Sequence, residues 1–216
     1  MSVTLGKQIE LLCKKIAKDY EGWEYSAKSF KNKSHKHTDM IVNMLWTGSP
    51  ISISFQPVVI ISNKKIEKIW KKYIVRSVGW TQFLRIMNPE DTKLQYRARI
   101  KDIKGDNAEE YIREVLNIGI HMLEENWDFS SEENLLCNLP VNDSTLPKGE
   151  AKLLCGDLGT RYCIAKILLG DFEYIERFYY DEIETPLPKR KDDLEKIMQH
   201  IHELRSAYEK KGKLFV

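Results

Sequence analysis

The first apolar repeat of the chain is helical: Leu5, Ile9, Leu12 and Ile16 return at three- and four-residue spacing with lysines between them, which predicts a helix over residues 4–18. Gly22 ends that pattern, and the alternation that begins at Trp23-Glu24-Tyr25 and reaches Phe30 predicts a strand. The polar run 31–37 reads as a loop or hairpin end. The apolar run 39–46, closed by Thr47-Gly48-Ser49-Pro50, reads as a second strand, and the strict alternation Ile51-Ser52-Ile53-Ser54-Phe55 as a third. Pro57 cannot donate a ladder hydrogen bond and so marks a bulge or a sheet edge. Ser62 or Asn63 is placed to cap a helix reaching about Ile74, with Ile66, Ile69, Trp70 and Tyr73 on one side. Two more strands are predicted over 80–87 and 93–101, joined through Asn88-Pro89-Glu90-Asp91.

After Gly105 the period becomes helical. Asp106 or Asn107 opens a long helix reaching about Trp127 and built on Tyr111, Val115, Ile118 and Met122. A short helix over 131–139 and a turn-rich loop over 140–148 follow. Residues 150–169 carry Leu154, Leu158, Tyr162, Ala165 and Leu169 on one helical stripe; Gly170 stops that helix and Asp171 starts the next, which makes a helical hairpin. Thr185-Pro186-Leu187-Pro188 is a stiff linker, and residues 190–211 form a last charged helix. The order is one helix, three strands, a helix, two strands and then helices alone. With short connections it predicts an α+β chain: a mainly antiparallel sheet of about five strands with covering helices, followed by a C-terminal helical region.

Composition changes this picture in one respect. The chain has 216 residues, 42% of them hydrophobic and 31% charged, enough for a substantial core. Its net charge of +2 hides a division. Residues 1–104 carry 20 Lys and Arg against 9 Asp and Glu, a net of +11; residues 105–216 carry 14 against 23, a net of −9. The expected organisation is a basic sheet unit over 1–105 and an acidic helical unit over 106–216, together one compact domain. Cys13, Cys137, Cys155 and Cys163 include no CxxC pair, which fits a reducing compartment. No basic segment followed by a long apolar run stands at the N-terminus, and apolar stretches such as Pro57-Val58-Val59-Ile60-Ile61 are too short to span a bilayer, so the expected location is the cytoplasm.

Catalytic signatures are missing. The chain has no phosphate loop, dinucleotide fingerprint, nucleophile elbow, HExxH or EF-hand pattern. His35 and His37 would share a strand face, but lysines flank them and Asp39 is the one nearby carboxylate. His200 and His202 point to different sides of a helix, and His121 lies on a mostly apolar one. Cys155 and Cys163, eight residues apart on one helix, lie about 12 Å apart along its axis and cannot pair. Gly156-Asp157-Leu158-Gly159-Thr160-Arg161 has the look of an anion-binding loop, but the apolar stripe runs through it, and close packing against a neighbour is the better reason for its glycines. The expectation is a chain with no catalytic residue, no metal and no cofactor.

Two surfaces remain. Lys64, Lys65, Lys68, Lys71, Lys72 and Arg76 decorate one helix, and Lys93, Arg97, Arg99, Lys101 and Lys104 the following strand; Trp70, Tyr73, Trp80 and Tyr96 interleave. That composition would suit a nucleic-acid backbone and its bases, although Trp70, Tyr73 and Tyr96 fall on core-facing positions. The second surface is acidic. Residues 106–133 hold nine carboxylates against Arg113, and residues 171–184 add Asp171, Glu173, Glu176, Asp181, Glu182 and Glu184 against Arg177, with Phe172, Tyr174, Phe178, Tyr179 and Tyr180 among them. Exposed tyrosine beside carboxylate is the composition of a surface that captures a basic protein. The candidate partner-binding residues are Glu173, Glu176, Tyr179, Tyr180, Asp181, Glu182 and Glu184.

The opening helix with Gly22-Trp23-Glu24-Tyr25-Ser26-Ala27-Lys28-Ser29-Phe30 behind it, and the late hairpin Leu168-Leu169-Gly170-Asp171-Phe172-Glu173, resemble bacterial immunity proteins of polymorphic toxin and contact-dependent growth inhibition systems. The resemblance covers about half of the chain and is one of layout. It implies a non-enzymatic cytoplasmic protein that binds a cognate toxin domain and neutralises it, and it transfers no functional residue. The alternatives are a nucleic-acid-binding module using the basic 64–76 and 93–104 surface, and an enzyme with a dispersed active site.

Overall fold

The computed structural model describes residues 4–44, 46–48, 53–55, 58–74, 83–86, 101–103, 107–137, 139, 157–185 and 187–214, of which 46–48, 53–55, 83–86, 101–103 and 126 are described by backbone alone. Most of the strand expected over 93–101, the loop over 140–148 and the start of the helix over 150–169 lie outside the described residues.

The first helix, α1, spans Leu5–Ala17. Its buried residues are Ile9, Cys13, Ile16 and Ala17, which share one arc of the helix, whereas Leu5 and Leu12 sit half-buried at the edge of that arc. Three strands follow as a meander: β1 (Trp23–Ser26), β2 (Ser29–His35) and β3 (Thr38–Asn43), each antiparallel to the next. The strand expected to run unbroken to Phe30 is therefore a hairpin, and the polar run after it, read as a loop or hairpin end, supplies most of β2 and the turn at 36–37 into β3. The turn is Ala27-Lys28, both in the left-handed region at φ 48° and 63°, which is the backbone of a type I′ turn without its usual Asn-Gly sequence. Tyr25 pairs with Phe30 and Phe30 with Val42, and these three side chains form a buried row across the meander; the Tyr25 and Phe30 rings meet edge to face at 4.9 Å.

Short strands β4 (Trp46–Gly48) and β5 (Ile53–Phe55) pair antiparallel, and β8 (Lys101–Ile103) adds antiparallel to β5. Between them in sequence lie β6 (Val58–Asn63) and β7 (Phe83–Ile86). The described strands thus number eight in two sheets, ordered β1-β2-β3-β6-β7 and β4-β5-β8. The α+β class with C-terminal helices holds, and the expectation of a single sheet of about five strands is corrected. β2 and β4 are not separate strands in that expectation, and β6 is missing from it altogether. All six of its residues are buried, so it has no polar face and shows no alternation.

The remaining helices are α2 (Lys64–Tyr73), α3 (Ala108–Asn126), α4 (Glu132–Cys137), α5 (Leu158–Leu168), α6 (Phe172–Tyr179), α7 (Lys191–Met198) and α8 (Ile201–Lys211). Asn63 caps α2: its Oδ1 accepts from the backbone N–H groups of Lys65 and Ile66. The predicted face of α3, Tyr111, Val115, Ile118 and Met122, is buried throughout. The single helix expected over 190–211 is two, broken at Gln199-His200, where the His200 N–H donates to the Ile197 carbonyl, one residue short of helical register. No described helix is long and apolar enough to cross a membrane.

The chain forms two compact units, residues 1–62 with 84–126, and residues 63–83 with 127–216. The charge step near residue 105 falls inside the first. In that unit α1 and α3 pack on one another, α1 against β1 and α3 against β3. The second unit is helical and centred on α5, which touches α2, α4 and α6. A helix with neighbours on several sides has no wet face, and Gly159 through Ala165, with Ile167 and Leu168, are all buried.

Candidate functional site

The acidic and aromatic residues singled out in the sequence lie on α6 and the turn after it. Two turn motifs frame that helix. At the end of α5 the Gly170 N–H donates to Ile167 O (3.0 Å) and the Asp171 N–H to Lys166 O (2.9 Å), with Gly170 at φ 84°. This is a Schellman ending. Asp171 then caps α6 by accepting from the Tyr174 N–H at 3.1 Å. The end of α6 repeats the motif: the Asp181 N–H donates to Phe178 O and the Glu182 N–H to Arg177 O, with Asp181 at φ 62°. A left-handed residue other than glycine is tolerated best when it is Asn or Asp. Here the carboxylate is also held from outside.

The holder is Lys189. Its ammonium donates to the Tyr179 carbonyl at 3.1 Å and to the Asp181 carboxylate, and it stands 5.0 Å from the centre of the Phe178 ring. It sits where the helix leaves carbonyls unsatisfied and its dipole is negative. Lys191 approaches the same carboxylate at 3.4 Å. Hydrogen bonding from Lys189, with Lys191 behind it, holds the Asp181 carboxyl below its ordinary value. Lys189 itself is placed by Pro188. The carbonyl of Pro188 lies so close to Gly159 on α5 that a Cβ there would fall on it, and the same Cβ would stand 2.9 Å from the Phe178 ring. Gly159 is thus a close-packing glycine. Gly156 lies outside the described residues.

Phe172, Ile175 and Phe178 form the buried face of α6, and Tyr174 and Tyr179 are half-buried. Tyr180 is 65% exposed, with its ring edge to face against Tyr179 at 5.1 Å. Glu173 is exposed and 3.8 Å from Arg177, while Glu176 binds Arg205 at 2.6 Å. Glu182 and Glu184 are exposed and form no ion pair among the described residues. The seven sequence candidates therefore divide. Tyr179, Tyr180, Glu182 and Glu184 gather at the end of α6 with carboxylates open to a partner, Asp181 is the strut beneath them, Glu176 is engaged within the fold and Glu173 stands one to two turns back.

The basic candidate has a different character. Trp70 and Tyr73 are buried, so neither is a platform for bases. Lys65 pairs with Glu132, Lys71 with Glu67 at 3.2 Å, and Lys72 with Glu203 at 3.2 Å. Arg76, Trp80, Lys93, Tyr96, Arg97, Arg99 and Lys104 lie outside the described residues, as does the side chain of Lys101. Arg161, from the stretch with anion-loop composition, is buried in α5 with its guanidinium 5.1 Å from the Trp70 ring and 3.7 Å from Asp157. Asp157 also binds Arg190 at 2.9 Å, and Arg190 binds buried Asp193 at 3.3 Å. This chain of alternating charges serves the core of the unit.

Burial raises the Cys13 thiol to about 12 and pushes the Cys163 thiol up as well, which leaves both inert as nucleophiles at neutral pH. Cys137 is exposed, and Cys155 lies outside the described residues. Among the described residues no group of three or more His, Cys, Asp or Glu side chains is placed to hold a metal ion. Sequence reasoning missed Lys189. Its position after Pro188 gives no sign that a turn eight residues earlier will bring Asp181 to it. No family model, curated protein or solved structure matches the chain.

Proposed function

We propose that the chain is a non-enzymatic binding protein of the immunity type, which holds a basic toxin domain against the end of α6 and the turn 180–184. The observation that supports this reading best is Tyr180. It is a large exposed aromatic carried on a backbone already fixed by two turn hydrogen bonds and the Lys189 tie. A side chain presented on an ordered turn loses little further freedom on binding, which is the property of a hot-spot residue. Glu182 and Glu184 beside it add charge that steers a cationic partner and rejects an acidic one. Glu176 is paired with Arg205 within the fold.

The test is capture from a lysate of its own cells at about 0.15 M salt, where exposed charges are screened beyond roughly 8 Å. Tagged wild-type chain is compared with Tyr180→Ala and with Glu182→Lys/Glu184→Lys. One basic protein held stoichiometrically by the wild type and lost by both variants is the expected result, and its toxic activity should be suppressed by the wild-type chain. Equal retention by all three would place the interface elsewhere, and recovery of nucleic acid in place of protein would overturn the reading.

A further inference from the structure

Two large hydrophobic side chains are exposed among the described residues, and they belong to different units. One is Tyr180 in the turn after α6, at 65%; the other is Leu11 on α1, at 56%. Leu11 has charged company. At about 100° per residue, Lys7, Leu11, Lys14 and Lys18 fall within an arc of about 60° on the side of α1 away from its buried residues, and they run about 16 Å along it. Lys18 follows α1 but keeps helical angles (φ −69°, ψ −20°). All four residues are exposed, and among the described residues none of these three lysines forms an ion pair. Lys15, on the next arc, is drawn instead to Glu109 of α3 at 3.3 Å. The side of α1 that meets α3 is therefore neutralised, and the stripe that faces solvent is not.

The stripe and the α6 turn are complementary in composition. α1 offers an aliphatic side chain among three ammonium groups without counter-charges. The turn offers an aromatic one beside Glu182 and Glu184, two exposed carboxylates that form no ion pair among the described residues. Both patches are exposed, so neither covers the other within one chain. Both backbones are already fixed, one as helix and the other by the Lys189 tie, and little ordering is lost when such surfaces meet. We infer that the α1 stripe of one copy of this chain receives the Tyr180 turn of a second copy, with Leu11 against the tyrosine ring and Lys7, Lys14 and Lys18 against Glu182 and Glu184. Such a contact joins two different patches. Each joined pair keeps a free stripe at one end and a free turn at the other, so association continues past two copies unless a ring closes. One helix stripe and one turn make a small interface of the weak, transient class. The self-contact is independent of the immunity reading, but its consequence rests on it: a turn seated on a neighbouring copy is closed to the toxin.

The test is sedimentation equilibrium of the full chain over a concentration series, at low and at high salt. The weight-average mass of the wild type should rise with concentration, and rise less when salt screens the charges. Lys7→Glu/Lys14→Glu/Lys18→Glu sets acid against acid, and Glu182→Lys/Glu184→Lys sets base against base, so each variant alone should stay monomeric. Mixed in equal amounts the two should associate, because both pairings across the mixture are complementary again, a rescue that misfolded variants cannot give. Leu11→Ala and Tyr180→Ala in the wild-type chain should each weaken association about fivefold through lost apolar contact, which unspecific charge attraction would not register. In the lysate capture Leu11→Ala should hold the toxin as well as the wild type does; loss of capture by every chain with self-association intact would overturn the immunity reading alone. A wild type that stays monomeric at every concentration, a mixture that does not associate, or association indifferent to Leu11 and Tyr180 would overturn the inference. Saturable shifts of the α1 amides with duplex DNA in a monomeric chain would give the stripe to nucleic acid and overturn it as well.

Discussion

The two ends of the helical hairpin use the same hydrogen-bond motif for different ends. At Gly170 the left-handed residue has no side chain, and a Cβ there would lie 2.6 Å from the half-buried Tyr208 ring, which would have to shift. At Asp181 the left-handed residue has a side chain and it is used, as the anchor for Lys189 and Lys191. One end is closed by packing, the other by electrostatics at the surface. The first is a contact between two half-buried residues, with no charge left for a partner. The second holds a turn in a conformation that costs its residue some backbone energy, and it does so directly beneath the exposed Tyr180.

Breaking the packed end should have the largest effect. Gly170→Ala combines a left-handed alanine with overlap at Tyr208, and should destabilise the chain by about 3 kcal/mol in urea unfolding. Gly159→Ala, which presses on the Pro188 carbonyl, should cost a comparable amount. Breaking the latched end should cost less: Lys189→Met keeps the contact with Phe178 but removes the bond to Tyr179 O, and should lose about 1 kcal/mol. Hydrogen exchange at the Glu182 amide should speed up in that variant while the Asp171 amide, at the packed end, stays slow. A smaller effect should appear with pH. The Asp181 carboxyl titrates below its ordinary 3.8, so its contribution is fully present above that value and is lost as pH falls through the folded one. Asp181→Asn should therefore flatten the stability curve below about pH 3.8, and an unchanged slope there would mean that the lysines do not hold the carboxylate in solution. Tyr180→Ala should change stability least, since the ring is mostly in water, and its effect belongs to binding.

Much of the helical half was legible because its signals are local. The periodic face of α3 needs only its own residues, and the Gly170-Asp171 junction carries both a stop and a start in two positions. The misses have non-local causes. Ala27-Lys28 adopts a turn whose usual residues are absent, so pairing with β3, not turn chemistry, fixes the hairpin. The break at Gln199-His200 has no glycine or proline to announce it. In the candidate site the composition of 171–184 could not separate Glu176, drawn to Arg205 on α8, from Glu182 and Glu184, which form no ion pair among the described residues. That distinction depends on which helices face each other.

The interleaving of the two units has a consequence for how the chain is made. α2, with Ile66, Ile69 and Trp70 buried, belongs to the second unit and packs with α5, which follows about 90 residues later. At synthesis rates of roughly 5–20 residues per second, that partner leaves the ribosome several seconds or more after α2 does. Meanwhile the first unit closes around a gap in its own sequence, with its second segment arriving only after α2 has passed. The nascent chain must therefore carry an exposed tryptophan-bearing apolar face through the middle of its own synthesis, and a chaperone that shields residues 64–73 at that stage should raise the yield of folded protein.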